Sequence, residues 1–176
     1  MCSPSRASSA LAEVERLAGE QKYQAALERA REVLKKAQAK QDDALITEAL
    51  IQVTQLEMGL HGYETAVRQF KQTTWPKNGA SRLLMNLYYA ETLAIYAQQY
   101  GWEIRQREKT VSKEAVDLKA WTSEEIAREA SRAFDAAMAE GAWLEGEVPG
   151  YFQAYLQRNT YPAGVRPTLR DAVTYL

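Results

Sequence analysis

Adjacent carboxylates can divide general-acid and general-base work between them, and the chain carries such pairs at Asp42-Asp43 and Glu124-Glu125. Each pair stands at the start of a run with helical apolar spacing. There, negative charge meets the positive end of the helix dipole, so the pairs read as helix-starting charge rather than as an acid and a base. The one histidine, His61, sits beside Gly62 at a helix-end turn, where it reads as a C-terminal cap or a solvent-facing side chain. One histidine and one cysteine, Cys2, are too few for a zinc site of Cys and His, and no serine, histidine and aspartate stand at a convenient triad spacing. The nine glycines are scattered, so no loop is built to cradle phosphate. No catalytic residue, no cofactor and no metal site is expected.

The remaining chemistry is that of contact. Tyr88, Tyr89, Tyr96, Tyr100 and Trp102 form an aromatic series on one long helical segment. Such residues anchor protein partners at interfaces and equally fill cores, and the spacing alone admits both uses. The net charge of −1, from 22 Lys+Arg against 23 Asp+Glu, gives no pull toward a phosphate backbone. The expected partner is therefore protein and not nucleic acid. No stretch of ~18 apolar residues is present to span a membrane.

The elements that must position these residues are all helical. Apolar residues recur at three and four in segments near Ser8–Ala18, Tyr23–Lys40, Asp42–Leu60, Tyr63 onward, Ala80–Gln106 and Thr122–Glu140. Thr122 with Glu125 forms a capping-box signature. The stretch from Lys109 to Ala120 reads as part extended and part turn. Trp143-Leu144 reads as loop, Gly150–Gln157 as a short helix, and Pro167 as the first residue of a last one. That last apolar stripe (Leu169, Ala172, Val173, Leu176) is still running at the final residue, which suggests a piece of a longer protein. The expected fold is all-α, a right-handed array of antiparallel helix pairs with about seven to eight helices. Residues 1–7 form a tether and residues 8–176 one domain. Within it, 8–75 are repeat-like pairs, and 80–176 hold a long central helix with further helices after it.

Gln21-Lys22-Tyr23-Gln24-Ala25-Ala26-Leu27 can be laid on His61-Gly62-Tyr63-Glu64-Thr65-Ala66-Val67, and Ala30 then falls on Phe70. The pattern of a turn followed by Tyr-x-x-Ala resembles the tetratricopeptide repeat. The period is longer than that repeat's usual ~34 residues, and its Trp and Gly are missing from the first helix of each pair.

A second likeness begins at Leu83. The run Tyr96-Ala97-Gln98-Gln99-Tyr100-Gly101-Trp102 ends the long helix. A connector containing Arg105 and Thr110 follows, and Asp117-Leu118-Lys119-Ala120-Trp121 leads into the next helix. Gly164-Val165-Arg166-Pro167-Thr168-Leu169-Arg170-Asp171 makes a third marker. In order and rough spacing this resembles the helical N-terminal region of bacterial alpha-2-macroglobulin family proteins. Gln98, Gln99, Trp102, Asp117, Trp121, Arg166, Pro167, Thr168, Leu169 and Asp171 would be its structural motif residues. Ala97 and Gly101 depart from the larger residues common there, and the Arg-Thr element is stretched. The resemblance implies a non-catalytic scaffold of an envelope-associated protease inhibitor, in the periplasm or as an outer-membrane lipoprotein. Its membrane contact would be only through lipid on Cys2, at the head of Met1-Cys2-Ser3-Pro4-Ser5. The thioester and bait segments of that family are not in this sequence. The alternative is a cytoplasmic tetratricopeptide-like adaptor that binds a peptide in a concave groove.

Overall fold

The computed structural model describes residues 6–107 and 117–144, all of it helix, turn or irregular chain with no strand. Its regularity begins with three turns. Gln21, Gln41 and His61 stand twenty residues apart and all adopt left-handed backbone, with φ of 60, 53 and 63°. Each closes a helix the same way. The N–H of Lys22, Asp42 and Gly62 donates to the carbonyl of Leu17, Ala37 and Glu57, at 2.9, 3.1 and 2.8 Å. The N–H of Gln21, Gln41 and His61 donates to the carbonyl three residues back, at 2.9, 3.1 and 2.9 Å. These paired bonds satisfy carbonyls that a helix end would leave without donors. A non-glycine residue in this conformation costs about 1 kcal/mol, which those bonds offset.

The turns separate α1 (Arg6–Gly19), α2 (Tyr23–Lys40), α3 (Asp43–Gly59) and α4 (Tyr63–Gln72). Helix α1 thus starts two residues ahead of Ser8. Consecutive members of the four pack on one another, and α3 also meets α1 and α5 (Gly79–Gln99). After α5 come α6 (Gly101–Arg105), α7 (Ser123–Met138) and α8 (Gly141–Leu144). The fold is an all-helical array.

Small residues let α2 lie close to its neighbours: Ala26, Ala30 and Ala37 are fully buried, as is Ala49 of α3. Helix α3 is buried on nearly every side, from Ile46 through Leu50, Ile51 and Val53 to Leu56. The forty-residue echo holds in the core, where Ala26 matches Ala66 and Ala30 matches Phe70, all buried. It fails at the tyrosines. Tyr63 packs on Tyr96 and Tyr100, whereas Tyr23 is 47% exposed and fills no gap at its turn.

Two expectations need correction. The segment Ala80–Gln106 is not one helix, because α5 stops at Gln99 and Tyr100 (φ −110°, ψ 17°) separates it from α6. Gly101 follows at once, and glycine has little helix propensity to carry the helix through. Trp143 and Leu144 are not loop but lie in α8. Gly79 has no Cβ, and one placed there would collide with the Trp143 indole. Bare backbone at the start of α5 is what lets α8 close on it. The segments 108–116 and 145–176, with Gly150–Gln157 and the helix expected after Pro167, lie outside the described residues.

The carboxylate pairs find helix-end roles. Asp42 caps α3 by accepting from the Leu45 N–H at 3.1 Å. Asp43 Oδ2 accepts from the Lys77 and Asn78 N–H groups, both at 3.0 Å, and from Asn78 Nδ2 at 3.1 Å. It therefore ties the loop before α5 to the start of α3. Glu125 and Thr122 close the capping box of α7.

Glu48 is the exception. It is 5% exposed, and its Oε1 has no hydrogen-bond partner. Burial, with Asp42 and Glu15 nearby, pushes its carboxyl up to about 7. A folded-state value above the unfolded 4.5 means that stability is full below pH 4.5 and falls as pH rises toward 7. Glu48→Gln, which mimics the protonated acid, is expected to raise unfolding free energy by roughly 1–3 kcal/mol at pH 8 and by almost nothing at pH 4. Urea denaturation at the two pH values measures the difference.

Candidate functional site

Two knots of side chains hold the later helices, and one groove lies open between the earlier ones. The first knot gathers around Tyr96, on the last turn of α5. After α6 the chain turns back through Arg107, whose N–H donates to the Ile104 carbonyl at 3.1 Å. The Arg107 guanidinium donates from Nη1 to the Leu118 and Trp121 carbonyls, at 2.5 and 3.3 Å, and from Nη2 to the Tyr96 hydroxyl at 3.1 Å. It also stands 6.0 Å from the centre of the Tyr96 ring. The Tyr96 hydroxyl donates in turn to the Leu118 carbonyl at 3.4 Å. Asp117 shapes the turn before α7, its carbonyl accepting from Ala120 and Trp121 at 3.0 and 3.2 Å. Tyr63 and Tyr100 close the cluster, with ring centres 6.3 and 5.0 Å from that of Tyr96. Burial pushes the Tyr96 phenol up, against the opposing pull of Arg107.

The second knot is polar at its centre. The Glu129 carboxylate, on α7, accepts from Arg132 through two bonds of 2.7 Å, from Lys71 of α4 at 2.7 Å and from the Tyr89 hydroxyl of α5 at 3.2 Å. Lys71 also lies 4.9 Å from the Tyr89 ring centre. Arg132 first, then Lys71, holds Glu129 down at about 2, against the effect of burial. Burial pushes the Tyr89 phenol up. Arg82 of α5 grips Glu140 beyond α7 at 2.7 and 3.1 Å.

The aromatic series is therefore divided. Tyr89 and Tyr96 are fully buried, Tyr88 and Tyr100 partly so, and Trp102 is 68% exposed. No single exposed face carries all five. Of the motif residues, Asp117 and Trp121 join the Tyr96 knot, while Gln98, Gln99 and Trp102 are exposed and outside it. Within the connector it is Arg107 that reaches the knot, and Arg105 is exposed. Cys2, Arg166, Pro167, Thr168, Leu169 and Asp171 lie outside the described residues.

The groove runs along the ends of α2 and α4. A cavity of about 450 Å³ between Gln38, Arg68, Gln69 and Gln72 adjoins one of about 250 Å³ over Ile46 and Trp75. Gln38 and Thr74 border both. Trp75 is fixed by its indole N–H, which donates to the Phe70 carbonyl at 2.8 Å, and by its edge against the Phe70 ring.

Among the described residues no group of three His, Cys, Asp or Glu could hold a metal ion, and no helix is long and apolar enough to cross a membrane. No known protein family, curated protein or solved structure matches this chain.

Both knots carry measurable consequences. Arg107→Ala removes three donors from buried or half-buried acceptors, and a loss of roughly 1–3 kcal/mol in unfolding free energy is expected. Arg107→Lys should recover only part of it, since an ammonium lacks the planar fork that spans three oxygens. Chemical denaturation of the three proteins decides. Glu129 titrates with a depressed value, so its contribution is present above pH 4.5 and lost as pH falls toward 2. Glu129→Gln is expected to cost about 2 kcal/mol at pH 7 and progressively less below pH 4. An equal cost at pH 2.5, read by thermal unfolding, would remove the ionic role.

Proposed function

We propose that the chain is a non-catalytic scaffold that works by contact with protein. In this reading it is the helical N-terminal region of an envelope-associated protein resembling the bacterial alpha-2-macroglobulin family. The observation that carries the proposal is the Tyr96 knot. Two separated markers of the resemblance, the end of the long helix and the Asp117–Trp121 lead-in to the next, are joined there by Arg107 through three hydrogen bonds. Such a joint fixes the direction in which one helix hands over to the next, as a scaffold requires. Several polar side chains that could do chemistry are engaged in structural work: Asp42 and Glu125 cap helices, and Glu129 is held by Arg132, Lys71 and Tyr89. Lipid on Cys2 would supply the membrane tether, since one acyl chain on a short polar lead gives reversible anchoring.

A second reading, a tetratricopeptide-like adaptor acting in the cytoplasm, is favoured by the echoed caps at Gln21 and His61 and by the matched burial of Ala26 and Ala66. Cell fractionation with mass measurement of the native product separates the two. The first reading expects a large envelope-associated species with acylated Cys2. A cytoplasmic species near 19.9 kDa would sink it and leave the adaptor.

A further inference from the structure

We infer that the end of the array where α1 begins and α2 finishes sits on an anionic lipid surface, with Lys35, Lys36 and Lys40 set against the headgroups. The inference rests on the acylated Cys2 proposed above and adds how the molecule stands on the membrane and which lipid it meets. Helices α1 and α2 are joined by the short turn at Gln21 and pack on each other as a hairpin. Helix α1 has 14 residues and α2 has 18. At a rise of about 1.5 Å per residue, the last turns of α2 draw level with the start of α1 and pass it by roughly 6 Å. Cys2 stands four residues ahead of Arg6, where α1 starts. Four residues span at most about 14 Å even when fully extended. A lipid on Cys2 therefore holds this end of the array near the headgroups. Charge placed there acts across one to two Debye lengths, each about 8 Å in physiological salt.

That charge is positive. The last two turns of α2 read Val33-Leu34-Lys35-Lys36-Ala37-Gln38-Ala39-Lys40, and no acid stands between Glu32 and Asp42. Val33, Leu34 and Ala37 are buried in the core, whereas Lys35, Lys36 and Lys40 are exposed. Among the described residues none of the three ammonium groups has a carboxylate partner. The acids that bound the run are occupied: Glu32 pairs with Arg29 at 2.7 Å, and Asp42 caps α3. The net charge of −1 conceals this local surplus of cations. Each lysine held near an anionic membrane adds to binding, and a single acyl chain needs a second signal of this kind for stable attachment. An acidic protein would satisfy the same charges, but the position beside the tether favours lipid.

The test uses the full chain with a single myristoyl chain coupled through maleimide to Cys2, its one cysteine. Co-sedimentation compares vesicles of phosphatidylcholine alone with vesicles containing about one-third phosphatidylglycerol. The anionic vesicles are expected to bind about tenfold or more tightly, and high salt to remove the difference. The triple variant Lys35→Gln, Lys36→Gln, Lys40→Gln is expected to lose the preference. The control Lys22→Gln, Arg105→Gln, Lys119→Gln removes the same charge from exposed side chains at the opposite end of the array and is expected to keep it. Circular dichroism confirms that each variant keeps its helix content. Equal binding to the two kinds of vesicle, or equal loss in the two triple variants, would overturn the inference. So would capture of soluble polyglutamate by the three lysines without any preference for anionic vesicles. The lipid is attached chemically, so none of these outcomes depends on whether Cys2 is acylated in the cell, which fractionation of the native product decides.

Discussion

Helix α3 has almost no wet side, and the arrangement of the other helices follows from that. A helix that buries Ile46, Ala49, Leu50, Ile51, Val53 and Leu56 must be covered around most of its circumference. Helices α2 and α4 flank it in sequence, while α1 and α5 reach it from further away. The alanines of α2 meet this demand by bringing backbones close, so that coverage comes from helices rather than from long side chains. Helix α5 repeats the problem one layer on, and α7 supplies its cover.

Burial on this scale forces a decision about each polar side chain caught inside or at its edge, and the buried Glu48 and Glu57 and the half-buried Glu129 show different solutions. Glu57 meets Arg31 of α2, a partner with room to remain partly in water. Glu129 is surrounded by donors from three helices and stays ionised. Glu48 has acids for electrostatic neighbours and is driven toward its neutral form. The same side-chain type thus serves as tie, hub and proton holder, according to what the opposing helix presents.

Much of the helical order was legible because its signals are local. Tyr23–Lys40 was bounded by apolar spacing alone, and Thr122 with Glu125 announced the start of α7. What stayed illegible depended on contacts across the chain. Apolar spacing runs through Tyr100 without interruption, yet the helix breaks there, and its ring meets Tyr63, a partner that periodicity does not register. The candidate aromatics looked alike in sequence, but depth separates Tyr89 and Tyr96 from Trp102. Arg107 gave no advance sign, since its three acceptors lie on α5 and on the far side of the connector. The groove was hidden for the same reason, being assembled from the ends of α2 and α4 and the loop that Asp43 holds.

The left-handed turns at Gln21, Gln41 and His61 divide the molecule kinetically. Each reverses the chain within a few residues, so α1 to α4 find their partners at short sequence separation and can assemble like a zipper. Helix α7 must close a longer loop before it reaches α5, and closing it costs chain entropy that only the finished knots return. The seam between α5 and α7 is thus the last to form and, once its knots are tied, a well-held one, so the chain zips shut at its earlier half and is buckled at its later one.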